Sequence, residues 1–145
     1  MNIPETFTWL DVALEEEARG VTEIPGAEAN PRIVEYHAHT LLKATSDEVP
    51  WCAAFVGFCL DRAGVKSTAS AAARSYCNWG VPAVQKRGAI VVFSRGDNAV
   101  SGHVGFLLEA ITGGGLVVLG GNQADKVCRR TFPRSMVVAC RWPKT

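Results

Sequence analysis

Asp47-Glu48-Val49-Pro50-Trp51-Cys52-Ala53-Ala54-Phe55-Val56-Gly57-Phe58-Cys59-Leu60 reads as the opening of a buried helix with a cysteine at its mouth. Pro50 and the two acids before it suit a first turn, where amides lack partners and the helix dipole favours negative charge, and Gly64 supplies the stop. Cys52 is then a first-turn residue. Free amides and the positive helix end favour thiolate over thiol, so Cys52 is expected to be more acidic than an ordinary cysteine. Cys59 lies two turns further on, roughly 10 Å along the same face. It points deeper into the apolar body and is expected only to pack.

Working outward, Thr8 to Arg19 reads as a helix with Trp9, Leu10, Val12 and Ala13 inward, Glu15, Glu16 and Glu17 outward, and Gly20 at its end. After a turn-rich stretch from Glu23 to Asn30, Asn30 is placed to cap and Pro31 to open a helix over Ile33 to Lys43. Ser67 to Ser75 suggests a short helix ending near Trp79, with Val81-Pro82 leading away. Beyond it the period changes. Ala89 to Phe93, His103 to Leu108, Leu116 to Leu119 and Met136 to Cys140 are short apolar runs separated by Gly, Asn and Asp, with Val127 to Phe132 a fifth strand. Helices first and strands afterwards imply an α+β domain in which N-terminal helices pack on an antiparallel β-sheet. A single domain spans 1–145, helical over about 8–80 and sheet over about 87–142.

A chain of 145 residues buries a core without staples, and 48% apolar with 20% charged residues is the composition of a water-soluble globular protein. Five cysteines with no CxxC spacing argue against a disulfide framework or a zinc site and for synthesis in a reducing cytosol. No signal peptide or membrane-length apolar run is present in the sequence, so an extracytosolic role would require release by other means. Residues 1–48 hold ten acids against three bases, and 49–145 four acids against twelve. The basic residues of the second half are dispersed rather than clustered with aromatics, a solvated surface rather than a nucleic-acid site.

A cysteine nucleophile needs a base and a third group that holds the base in the right tautomer. His37 and His39 are two apart on a predicted helix and so face different ways, which argues against a shared metal. His103, opening a strand between Gly102 and Gly105, is the candidate base. The hairpin through Thr112-Gly113-Gly114-Gly115 then selects the third member. A two-residue loop at Thr112-Gly113 pairs His103 with Asn122, and one at Gly113-Gly114 leaves Asn122 a diagonal step away on the same face. A three-residue turn would reverse these parities.

Pro50-Trp51-Cys52-Ala53-Ala54-Phe55-Val56, Gly102-His103-Val104-Gly105-Phe106 and Leu119-Gly120-Gly121-Asn122-Gln123 together resemble the CHAP and NlpC/P60 cysteine peptidases and amidases. The likeness extends to compact phage-associated peptidoglycan hydrolases through Glu17-Ala18-Arg19-Gly20-Val21-Thr22-Glu23-Ile24-Pro25-Gly26, and spans about Trp9 to Trp142. The resemblance implies a papain-like fold, Cys52 as nucleophile, His103 as general base and Asn122 as the polar residue that orients it. Several CHAP enzymes place an acid two residues before that asparagine, where this chain has Gly120. The Asp-x-Asp-x-x-Gly loop of calcium-binding CHAP domains is missing from the sequence, so neither a metal nor another cofactor is expected.

Trp51, Tyr36, Trp79 and Gln123 are candidates to line the substrate groove. The implied activity is hydrolysis of an amide in peptidoglycan, as amidase or endopeptidase, by a monomer with no nucleic-acid partner and no stable membrane association. A phage endolysin made in the cytoplasm and reaching the wall after release would fit. So would a secretion-system-delivered antibacterial toxin with an immunity protein. A non-catalytic wall-binding module and a thiol acyltransferase or peptidase acting on proteins are the readings from other classes.

Overall fold

Thr8 opens the first helix, α1 (Trp9–Ala18), by a reciprocal capping box: its hydroxyl accepts from the Asp11 amide and the Asp11 carboxylate accepts from the Thr8 amide. This computed structural model describes residues 8–24, 29–43, 50–95 and 98–144, with residues 98–101 described by their backbone alone. Asp47 and Glu48, expected beside the cysteine helix, lie outside the described residues, as do Pro25-Gly26 and Asp97 of the loops.

Asn30 caps the second helix, α2 (Pro31–His37), through the Arg32 amide at 2.8 Å, with Pro31 opening it as expected. The helix stops six residues before Lys43. Thr40 turns its hydroxyl onto the His37 carbonyl at 2.8 Å, and the Leu41 amide leaves to bond Ala69, so the last turn is pulled away from the helix.

The third helix, α3 (Cys52–Arg62), begins at the cysteine itself, with Trp51 at the N-cap. Every residue from Cys52 to Leu60 is buried, as befits a helix apolar on all sides. Its end is a Schellman turn: Gly64 at φ +77 donates to Asp61, and Val65 donates to Leu60. One side of α3 is covered by α1 and α2, with Tyr36 against Phe58 at 4.7 Å, and the other rests on the sheet, with Phe55 against Phe106 at 6.2 Å. The expected short helix is a 3-10 turn, later than foreseen, over Ala73–Asn78.

Six antiparallel strands follow: β1 (Val81–Pro82), β2 (Ile90–Arg95), β3 (Asn98–Ile111), β4 (Gly115–Gln123), β5 (Lys126–Pro133) and β6 (Val137–Trp142), in the order β1-β6-β2-β3-β4-β5. This is the α+β arrangement of helices on an antiparallel sheet. The two-residue β1, unforeseen in the sequence, is an outer strand where Pro82 needs no ladder donor.

Strand alternation gives the sheet two faces. Ile90, Val92, Val104, Phe106 and Leu119 join the helices in one core, and Val91, Phe93, Leu107, Leu116 and Val118 form a second on the far side. Phe132 of β5 stacks on Phe93 of β2 at 4.7 Å. In a flat sheet two intervening strands would hold β2 and β5 about 14 Å apart. The sheet is therefore curled, and the second core fills the inside of the curl.

The β3–β4 turn has three residues, Thr112 to Gly114, between paired Ile111 and Gly115, with Gly113 and Gly114 at φ +106 and +107. That reverses the parity expected from a two-residue loop. An extra residue bulged between Leu107 and Glu109 reverses it again, so Phe106 faces Leu119 as a loop at Thr112-Gly113 would have required.

Candidate active site

The β3–β4 ladder ends at Phe106 and Leu119, and the next residues of β4 pass under the first turn of α3. Gly121 shows how closely: a Cβ there would lie 2.7 Å from Phe55 Cβ and from the Trp51 ring. Gly120 faces the other way, where a Cβ would meet Gln123 Oε1 at 2.6 Å and His103 Nε2 at 3.4 Å. The two glycines thus bring the head of α3 and the ring of His103 to adjacent points of one strand. On the β3 side the Val104 backbone, next in the chain after His103, lies near enough to the Cys52 sulfur to favour its anion. Cys52 retains 6% of its surface, whereas Ala53 to Val56 behind it retain none.

The electrostatics of Cys52 differ from expectation. Burial pushes its pKa up, and the amides of Val104, Ala53 and Cys52 with the field of Arg95 only partly oppose this. The helix end acts as foreseen, but desolvation of the anion outweighs it. Cys59 packs, fully buried and also shifted up by burial.

His103 is 3% exposed and stacked on Phe132 with ring centroids 5.1 Å apart. Burial lowers its pKa to about 4, against the bond from Gln123 and assisted by the positive fields of Arg95 and Arg130. The ring's partner is Gln123 rather than Asn122: His103 Nε2 and Gln123 Oε1 are 2.7 Å apart. The Gln123 amide nitrogen donates to the carbonyls of Val118 at 3.1 Å and Cys128 at 2.7 Å. A flipped amide would oppose oxygen to oxygen at both carbonyls, so Oε1 must face the ring, and Nε2 carries the proton. The lone pair is thereby placed on Nδ1.

Asn122 makes no hydrogen bond to the ring among the described residues. It stands at φ +57 in a bulge where the β4–β5 register shifts between Gly120 and Gln123, and that twist exchanges the sides of the two residues. Gln123, expected at the substrate, is 2% exposed with its amide fully engaged, so it supports the ring instead of lining a groove. Its signal in the sequence was the preceding Gly-Gly, which leaves space for a longer side chain to fold back.

The groove candidates do not converge on Cys52. Trp51 and Tyr36 are both fully buried: the indole donates to Glu23 at 2.8 Å and the phenol to Glu16 at 2.7 Å, which makes them packing residues. Trp79 is half-buried, donates to the Lys66 carbonyl and lines a cavity of about 420 Å³ with Lys66, Asn78 and Lys144. That cavity lies beyond the C-terminal end of α3, whereas Cys52 opens the helix. Of the other histidines, His37 is buried and His39 pairs with Asp61 at 2.7 Å. Among the described residues no group of His, Cys, Asp or Glu is arranged to hold a metal, and no helix is long and apolar enough to cross a membrane. All five cysteines are free.

No curated protein matches the chain. The family model of the CHAP domain matches residues 44–122, more than half the length, from just before the Cys52 helix to the β4 bulge. The helix-borne Cys52 and the strand-borne His103 both lie within the matched segment, and the chain belongs to the CHAP domain family.

Proposed function

We propose that the protein is a cysteine hydrolase that cuts an amide bond in bacterial peptidoglycan, with Cys52 as nucleophile, His103 as general base and acid, and Gln123 orienting the ring. CHAP domains are generally hydrolases of peptidoglycan. The observation that carries the reading is the fixed Gln123 amide, which leaves Nδ1 of the buried His103 unprotonated and so able to take a proton. Asn122, at the rim of the bulge, is a substrate contact in this reading.

The thiol proton passes to Nδ1 as sulfur bonds to the substrate carbonyl carbon. The first-turn amides of Cys52 and Ala53, at the positive end of the helix, stabilise the oxyanion. Collapse breaks the carbon–nitrogen bond, and the imidazolium returns its proton to the departing amine. Water then gives a proton to Nδ1 and its oxygen to the thioester carbon, the carbon–sulfur bond breaks, and Nδ1 returns the proton to sulfur, releasing a carboxylic acid and the free thiol. Because burial disfavours both thiolate and imidazolium, the resting pair is neutral, and the proton moves only as sulfur attacks.

An endolysin reaching the wall from the cytoplasm after membrane permeabilisation accounts for the chain equally well as a delivered toxin held by an immunity protein. Purified sacculi separate enzyme from wall-binding module. Wild-type protein and Cys52→Ala should both sediment with sacculi, and only wild type should release new amino groups. Equal release by both would refute a cysteine mechanism, and sedimentation without release by either would leave the binding module.

A further inference from the structure

We propose that Arg95 and Arg130 form a carboxylate-binding subsite at the mouth of the curled sheet, so that the preferred substrate carries a free carboxylate close to the amide that is cut. The proposal rests on the hydrolase reading above. Phe93 of β2, Phe132 of β5 and the ring of His103 form one stack inside the curl, and Phe93 is the ladder partner of His103. The strands β2 and β5 run in opposite directions, as the chain of antiparallel pairings requires. Two residues forward from Phe93, to Arg95, and two back from Phe132, to Arg130, are therefore steps toward the same rim. Each step is about 7 Å. That rim is where β4 turns at Gly120 to Gln123, with Gly121 under the head of α3 on the other face.

Both guanidinium groups are exposed, and neither forms an ion pair among the described residues. Arg129, the neighbour of Arg130, is different: it faces the opposite side of β5 and is held by Glu17 in two bonds of 2.8 Å. A solvated arginine on an outer strand usually guards against edge pairing, which would explain Arg130 alone. It does not explain a second free arginine across the curl, nor why both fields fall on the one buried histidine.

Those fields work against catalysis in the empty site, because they disfavour the imidazolium that must form. A substrate carboxylate between the two guanidiniums would offset their charge and make His103 a better base once substrate is in place. Arginine suits that task through its planar, two-pronged donors.

The test compares one muropeptide with its carboxyls free and the same muropeptide with them converted to carboxamides. Calorimetric titration into Cys52→Ala should show at least tenfold tighter binding of the free acid. The preference should shrink below threefold when Arg95→Gln and Arg130→Gln are added, with an unchanged thermal midpoint showing that the fold is intact. Equal affinity for the two forms, no binding of either, or a preference that survives the double substitution would overturn the subsite. Wild-type turnover of both forms is measured alongside. Equal cleavage of the two would refute the subsite and leave the hydrolase standing, whereas preferential binding without cleavage of either would refute the hydrolase and leave an anion site.

Discussion

At Cys52 two opposing influences meet in one side chain, and their balance is measurable. Amide donors favour the anion, but burial costs more, so the thiol stays protonated at neutral pH. Iodoacetamide should therefore label Cys52 slowly at pH 7 and much faster only above the ordinary thiol range. A labelling midpoint below that range, followed by mass spectrometry of the Cys52 peptide, would refute the neutral resting pair. His103 gives a second prediction. Its folded pKa is about 4 against 6.5 for an ordinary histidine, so between those values the unfolded chain binds more protons and stability rises with pH. The contribution is complete above pH 6.5 and is lost as pH falls toward 4, on the order of 3 kcal/mol. Urea midpoints of wild type and His103→Gln should diverge across that window; parallel curves would contradict the burial. At Gln123, substitution by Met keeps the length and removes the amide. It should lower kcat about 10- to 100-fold with little change in KM, because ring orientation is lost while substrate contacts remain.

Between elements, the contact that matters most is the passage of β4 beneath the head of α3. Gly121→Ala would place a methyl group 2.7 Å from Phe55 and Trp51, with no flexible side-chain end to yield. We expect a loss of about 1–3 kcal/mol, read as a lower thermal midpoint, with activity reduced beyond what unfolding explains because Cys52 moves with its helix. This junction was only partly legible in the sequence. The helix start at Cys52 and the glycine stop followed from capping chemistry, and the five longer strands from their apolar runs. The turn length did not follow, because Thr112-Gly113-Gly114-Gly115 accommodates loops of either parity. Nor did the bulge at Leu108, since two adjacent leucines suit a strand buried on both faces as well as a bulge. The exchange of Asn122 for Gln123 at the ring depends on a second bulge, set by packing against α3 rather than by local residue preference.

Across the molecule, the uneven charge of the chain is absorbed internally. The acidic first part meets the basic second part at Glu17–Arg129 and Glu35–Arg62, contacts between segments far apart in sequence. Glu16 anchors the helical layer: burial would raise its pKa, but bonds from Arg32 at 2.7 Å and from Tyr36 hold it below the usual carboxylate range. Glu16→Ala leaves Arg32 and the Tyr36 hydroxyl without that acceptor and should cost about 3 kcal/mol in chemical denaturation, whereas Arg129→Gln at the surface should cost under about 1 kcal/mol. With the helical layer fixed in this way, α3 is held with its first residue, Cys52, against the sheet. The measurement that bears most directly on that arrangement is mass spectrometry of enzyme quenched during digestion of sacculi. A Cys52 peptide carrying an acyl fragment of the stem peptide or muramic acid, released by hydroxylamine, is the predicted result; unimpaired cleavage by Cys52→Ser would contradict it.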